Sequence, residues 1–567
     1  MRKVFLLFFF AFCTASLASG GTNQISVIPC PSKVEAREGT FDLGRREIKY
    51  ITDSTLPEEG YCIDISKRRA EVSASGRTGF LLAAQTLRQL EVNGGGELLC
   101  CRIEDAPRFK YRGVLIDCAR HFYPKEEIFK ILDILAFYKL NRMHWHLTDD
   151  HGWRIEIKQY PRLVEVGAFG DIGSKPDWDK DDNLVGEIRY EGYYTQDDIR
   201  EVVAYADSLG IVIVPEIDMP GHMTSALAAY SWLGCTGGPY KVINFMGPRG
   251  KGFGKENLCI GKEETFTFVE NVLKEVVELF PSEYIHIGGD ECITERWDNC
   301  PLCQKRQEEE GMKLQNYFTK RVQKILEGYG RKIIGWDEIL EGELDVDAVI
   351  MSWRGTRGGI NAAKKGMDVI MSPSAWCYFD KPQSKDSSEP KAFGRRLLPV
   401  DSVYAYNPVA GLDSDQARHI IGVQGNLWCD VVCTDDYLEY MLLPRVAALS
   451  EVQWCDEGNR DWKRFVRSMD THRAFYEANG YVYAKHLWGV AGLPGHEHRI
   501  DEPAGTGYPD SLRVQGGISH VQGIAYDSTE ECFYCSFTTA FYSMNRIGTA
   551  RTDATINWFI ITASDTT

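Results

Sequence analysis

From about residue 108 onward the chain settles into an alternation of short apolar runs and longer amphipathic ones. Eight runs are almost continuously apolar: "GVLIDCA" from Gly113, "MHWHLTDD" from Met143, "GIVIVPEID" from Gly210, "YIHIGGDE" from Tyr284, "KIIGWDE" from Lys332, "AVIMSW" from Ala348, "DVIMSP" from Asp368 and "IIGVQGNLW" from Ile420. Such runs suit parallel strands covered on both faces, because neither side of the pleat then meets water. The intervening segments have helical spacing instead. "KEEIFKILDILAFYKL" puts Ile128, Ile131, Leu132, Leu135 and Tyr138 on one stripe. "TQDDIREVVAYADSLG" opens with Thr195 and Asp198 at capping-box spacing and stops at Gly210.

Eight strands alternating with helices predict a (β/α)8 barrel with long insertions, an α/β fold. An open doubly wound sheet is the alternative, but no Gly-rich phosphate turn follows the first strand. Residues 21–107 have a mixed pattern with one helical stretch, "GRTGFLLAAQTLRQLE". Residues 481–567 alternate in a β-like way between turn residues, enough for one or two hairpins or a fragment of a propeller-like repeat. No function is read from that tail. The expected organisation is therefore a leader over 1–20, an N-terminal domain over 21–107, a barrel over 108–480 and a β-rich tail.

Composition narrows the class. The 567 residues are 44% hydrophobic and 26% charged, ordinary for a folded soluble protein. A net charge of −17 excludes the basic footprint of a nucleic-acid binder. At the N-terminus, Arg2 and Lys3 precede an apolar run from Val4 to Phe12 and then small residues, the layout of a secretory signal cleaved after Ala18 or Gly20. The run is too short to span a bilayer, and no later run approaches that length. Of 17 cysteines, Cys13 lies in this leader, so an even number remains and disulfides are permitted. No Asn is followed two residues later by Ser or Thr, so N-glycosylation acceptors are absent, which points to bacterial export to the periplasm or cell surface.

A barrel puts its chemistry at the C-terminal ends of its strands. Reading those ends gives Asp117 and Arg120; Asp149 and Asp150; Glu216, Asp218 and His222; Asp290 and Glu291; Trp336 and Asp337; Trp353 and Arg354; Tyr378 and Asp380; Trp428 and Asp430. "HIGGDEC" sets two acids side by side, where a regular strand would aim them at opposite faces. Gly288 and Gly289 resolve this if the strand bends there and brings both acids to the rim. Carboxylates to move protons and aromatics to stack on sugar rings suit glycoside hydrolysis. An ordinary retaining enzyme needs a nucleophile about 5–5.5 Å across the scissile bond from its acid. A neighbour of the acid is badly placed for that, so the substrate's own 2-acetamido group is the better nucleophile, with Asp290 holding it.

"RMHWHLTDDHGWRIEI", "PEIDMPGH", "HIGGDEC", "GWDEI", "MSWRG" and "VQGNLW" together resemble the family 20 glycoside hydrolases, the β-N-acetylhexosaminidases, in order from about Ile28 to Trp454. "VIPCPSKVEAREGTFDL" resembles the small α+β domain that precedes their barrel. The resemblance implies that Glu291 is the general acid and later the base. Asp290 would orient the acetamido nitrogen and stabilise an oxazolinium intermediate, and Tyr378 would bond the acetamido oxygen. Trp336, Trp353 and Trp428 would wall a pocket for the acetamido methyl group. Arg120 and Asp380 would grip sugar hydroxyls, and Asp149 with His222 would support the acid. Asp430 stands where the family usually has Glu, one methylene longer. The implied partner is a glycan with a terminal N-acetylhexosamine; no cofactor and no metal are expected, and oligomeric state is open.

Blander readings compete. Trp145 and Trp297 are read as core or loop. His144 and His146 alternate on one strand face but are read as hydrogen-bonded packing residues, since no carboxylate–histidine set at metal spacing is evident in the sequence. "CPLC" (Cys300–Cys303) and "CFYC" (Cys532–Cys535) could jointly supply four thiolates, but a local disulfide or free thiols are the expectation. A non-catalytic amino-sugar-binding barrel would have lost the acid or its neighbour, and both are present. Chitinase-type endo-hydrolysis would use spaced aspartates rather than a contiguous pair.

Overall fold

A computed structural model describes residues 25–169, 191–243, 255–342 and 347–490, with the backbone of six further strands at Lys175–Trp178, Leu184–Ile188, Val521–Asp527, Cys532–Phe537, Arg551–Asp553 and Ile556–Thr562. The leader expected over 1–20 lies outside the described residues. Among them, no helix is long and apolar enough to cross a membrane.

The first layer is a five-stranded sheet. Its strands, Lys33–Phe41, Lys49–Thr52, Tyr61–Ser66, Arg69–Ala74 and Leu98–Asp105, stand in the order first, fifth, third, fourth, second. Tyr61, Ile63 and Ile65 alternate inward and pack beneath the helix Arg77–Asn93, which returns Leu82, Ala83, Leu87 and Leu90 to the same core. Period 2 meeting period 3.6 is how a half-buried sheet and an amphipathic helix close one core.

The eight predicted strands then close into a parallel barrel in sequence order. They are Tyr111–Asp117, Arg142–His146, Val212–Glu216, Tyr284–His286, Lys332–Trp336, Ala348–Ser352, Val369–Met371 and Ile420–Leu427, the last pairing with the first. The helix after the first strand, Lys125–Phe137, buries Ile128, Ile131, Leu132 and Leu135. Fully burying one such side chain stabilises by roughly 1.5–3 kcal/mol. The helix Gln196–Ser208 carries the expected reciprocal cap between Thr195 and Asp198, worth about 1 kcal/mol. It stops before Gly210, whose φ of 80° lies in the left-handed region that glycine enters without cost.

The tail strands form a compact unit of their own, an antiparallel sheet of two hairpins. The second strand of the first hairpin, Cys532–Phe537, pairs with the second strand of the other, Ile556–Thr562. A propeller blade runs as a simple meander, so this order departs from one.

Candidate active site

The fourth barrel strand ends at His286, and Ile287 to Asp290 leave the ladder. Gly288 and Gly289 take φ of 68° and 95°, and Glu291 itself sits at 46°. A Cβ on Gly288 would collide with the Asp218 carboxylate, and one on Gly289 would come within 2.7 Å of Ile339. Two glycines are thus required twice over, by conformation and by space. The bend carries Asp290 into a mostly buried position, with side-chain exposure of 13%, while Glu291 stays accessible at 44%. His222, from the loop after the third strand, is also left-handed at φ 52°. A left-handed non-glycine costs energy, and such strain gathers at functional sites.

His222 joins the pair to the charges beneath it. Its Nε2 lies 3.8 Å from Asp290 and 3.7 Å from Glu291, and its Nδ1 lies 3.2 Å from Asp149 Oδ1. Burial opposes a charge on His222, but Asp149, Asp218 and Asp290 outweigh it and raise its pKa well above the usual value. Burial likewise disfavours the Asp149 anion, yet Arg120 and His222 hold its carboxyl well below the usual range. Arg120 reaches Asp149 at 2.7 Å, Asp117 at 3.4 Å and Asp430 at 4.0 Å. Its guanidinium carbon lies 4.9 Å above the Trp428 ring. Glu291 is raised first by burial and second by Asp290, as a proton donor requires. Asp290 is raised by burial, with the positive His222 pulling the other way.

The aromatics close one wall. Trp353 and Tyr378 stack at 6.0 Å, Tyr378 and Trp428 lie 6.4 Å apart, and Trp336 and Trp428 lie 5.8 Å apart. Trp336 is the deepest, 1% exposed, with Nε1 donating to Glu216. Asp380 is buried, and burial together with Asp430 pushes it up to about 7. Among the described residues, Asp290 Oδ1, Asp380 Oδ1 and Asp430 Oδ1 are buried acceptors without a hydrogen-bond donor. Buried carboxylates are normally satisfied, so three unsatisfied ones on one rim point to ligand groups that complete them. Every residue proposed from the sequence for the site is therefore on this rim, with Asp430 turned to Arg120 and Asp380. Trp145 and Trp297 are core, their indoles donating to Cys118 Sγ and the Leu258 carbonyl.

Sequence reasoning placed Glu216 at a strand end but gave it no role. Glu216 is a hub: the Trp336 indole donates to it at 2.9 Å, His146 hydrogen-bonds it, and ring nitrogens of His144 and His286 lie 3.0 Å and 2.9 Å away. His144 and His146 are hydrogen-bonded packing residues as expected. The view that no carboxylate–histidine set reaches metal spacing is corrected, because His144, Glu216 and His286 converge within 4.8 Å. His286 lies 142 residues beyond His144 in the chain (286 − 144), a meeting that a scan along the chain does not reveal. Glu338 was overlooked. It accepts from the Trp353 indole at 2.9 Å, and burial together with Asp290 pushes it up to about 8. With His222, Glu291, Gln315 and Arg354 it lines a cleft of about 420 Å³. Its signal in the sequence is the second acid of "GWDEI", directly after Trp336 and Asp337.

The cysteines of "CPLC" are free thiols, one of the two outcomes expected, but they have company. Cys300 and Cys303 meet Cys235 and Cys259 rather than standing alone. The strand that carries Cys532 and Cys535 is described only in its backbone.

Paired carboxylates and stacked aromatics on one barrel rim are the groups that glycoside hydrolysis requires. The chain belongs to glycosyl hydrolase family 20: the family's catalytic domain matches residues 109–457, and its domain 2 matches residues 46–106. A beta-hexosaminidase of Porphyromonas gingivalis is 41% identical over 448 residues, covering 76% of this chain and 55% of that protein. This chain thus spans just over half the length of that relative. A beta-hexosaminidase of Vibrio furnissii is 38% identical over 423 residues, covering 72% of this chain and 67% of the other. Among solved structures, the GH20 exo beta-N-acetylglucosaminidase of Vibrio harveyi in complex with N-acetylglucosamine superposes with a TM-score of 0.73 at 31% identity, covering 83% of this chain and 80% of that one.

Proposed function

We propose that the chain is an exo-acting β-N-acetylhexosaminidase that removes terminal β-linked N-acetylhexosamine with retention, using the substrate's acetamido group as nucleophile. The carrying observation is the placement of Asp290 beside Glu291, on the same bent strand end, with an unpartnered buried oxygen. From there the Asp290 carboxylate can accept from the acetamido N–H while the Tyr378 hydroxyl donates to its oxygen. The polarised oxygen attacks the anomeric carbon as Glu291 protonates the departing glycosidic oxygen. The positive charge of the oxazolinium then faces Asp290. A water deprotonated by Glu291 opens the ring and restores the acid. Trp336, Trp353 and Trp428, with Tyr378 between the last two, enclose the acetamido methyl. Arg120, Asp380 and Asp430 take the hydroxyls.

The named activities of the Porphyromonas and Vibrio relatives support this reading. A sugar-binding barrel that has lost catalysis has no support, since the acid and its neighbour are both in place. The charged and apolar layout of the first 20 residues supports export, to a bacterial periplasm or cell surface.

The test is a panel of chromogenic β-N-acetylglucosaminides, β-N-acetylgalactosaminides and plain β-glucosides. Turnover should require the acetamido group. Matched turnover of the plain glucoside would overturn the mechanism. So would a fluorosugar trapped on a carboxylate, with Glu338 the residue to inspect first.

A further inference from the structure

Four cysteines from three segments converge beside the catalytic rim. Cys235 lies in the loop that follows the third barrel strand. Cys259 precedes the helix Glu263–Leu279, and Cys300 and Cys303 occupy the start of the helix Pro301–Glu310. Cys259 Sγ is 3.8 Å from Cys300 Sγ and 3.7 Å from Cys303 Sγ, and Cys235 Sγ is 3.8 Å from Cys303 Sγ. All four sulfurs lie within 4.8 Å of one another. Zinc binds thiolates at about 2.3 Å in a tetrahedron, whose edge is then about 3.8 Å. Three of the distances match that edge. Cys259 is equally near two partners, so no pairing into disulfides is singled out.

We propose that Cys235, Cys259, Cys300 and Cys303 form a structural zinc site that fastens the His222 loop to the loop carrying Asp290 and Glu291. Binding takes Zn²⁺ from solution, ionises four thiols and releases their four protons to solvent, with no change of oxidation state. Four protein ligands leave no open position, so the ion is structural rather than catalytic. Cys259 and Cys303 are fully buried and Cys300 is 6% exposed, which keeps competing ligands out.

The neighbours explain what the site would do. Beside Cys259, the Leu258 amide donates to the Pro220 carbonyl at 3.0 Å, two residues before His222. Asn257 donates to the Ile293 carbonyl, two residues after Glu291. The Trp297 indole donates to the Leu258 carbonyl at 2.8 Å. A Cβ added at Gly221 would come within 3.5 Å of the backbones of Asp290 and Cys292, so the two loops pass close to each other there. The segment 257–259 is thus a strut between the two loops, and the four sulfurs anchor its outer end. Both loops hold a residue in a left-handed conformation, which the surrounding structure must enforce.

The full chain, purified without chelator, should contain about one zinc per molecule by elemental mass spectrometry, as one four-thiolate site requires. Replacement by Co²⁺ should give the intense visible bands of tetrahedral thiolate coordination. Cys235→Ser, at the least buried ligand, should lower zinc content and melting temperature together. Cys62→Ser, on the N-terminal sheet, should change neither zinc content nor activity. Metal content reports on this site whatever substrate the enzyme proves to use. A metal-free parent whose four cysteines map as two disulfides would overturn the proposal, as would iron in place of zinc.

Discussion

Two buried aspartates in this molecule are handled in opposite ways. Asp105 ends the last strand of the N-terminal sheet, where sheet and barrel meet. It accepts from the Ser32 amide at 3.0 Å, the Trp454 indole at 2.9 Å, Lys139 at 3.1 Å and the Tyr61 hydroxyl. Both of its oxygens are saturated, and its partner Lys139 is 0% exposed. Asp290, on the bent end of the fourth barrel strand, keeps one buried oxygen without a donor among the described residues. Burial alone therefore does not mark a functional acid. A saturated carboxylate is committed to the fold, whereas an unsaturated one retains a free-energy cost that a ligand can relieve.

The contrast can be tested. The largest effect is expected beside Asp290. Glu291→Gln should reduce hydrolysis of unactivated glycosides by up to about 10⁴-fold, the upper range for general acid catalysis, while aryl glycosides with good leaving groups lose much less. Equal losses on both substrates would remove Glu291 from the donor role. Its melting temperature should stay close to the parent's.

Asp105→Ala should do the reverse. Deleting it leaves the Lys139 ammonium buried without its counter-charge, and breaking such a pair typically costs about 3–5 kcal/mol. Denaturant unfolding should show that loss, with kcat preserved at temperatures where the variant is folded. Intact stability combined with a fall in kcat would collapse the distinction between the two acids.

Asp290→Asn keeps the shape and removes the charge facing the oxazolinium. One preorganised electrostatic partner is typically worth about 10²–10³ in kcat. The deficit should persist with activated leaving groups, and a thiazoline mimic of the intermediate should bind more weakly. Stability should hold or improve, because a partly unsatisfied buried charge has been removed. Rescue of kcat merely by a better leaving group would contradict the assigned role.

The smallest effect is a pH shift. Glu291 must be protonated to donate, so kcat/KM falls as pH rises through its raised pKa. Burial leads that rise and Asp290 comes second, from an ordinary value of 4.5. In Asp290→Asn the basic limb should therefore move to lower pH. An unmoved limb would mean that Asp290 carries no charge in the free enzyme.

What the sequence determined by itself was whatever its local periodicity and turn chemistry encode. The eight apolar runs, the stripe of Ile128, Ile131, Leu132 and Leu135, the cap at Thr195 and the glycines before Asp290 all act within a few residues, and each appears where it was read. The barrel then dictated that the acids and tryptophans at the strand ends share one rim. Tertiary structure alone decided how those groups are coupled. Glu216 became a hub because three other strands bring histidines or tryptophan to it, and Glu338 became part of the cleft because Trp353 and Asp290 close on it. Cys235, Cys259, Cys300 and Cys303 meet because loops of unequal length return to one place. No fixed spacing along the chain records such a meeting. Whether an aspartate is saturated, like Asp105, or left short of donors, like Asp290, depends on atoms hundreds of residues away, such as the Trp454 indole.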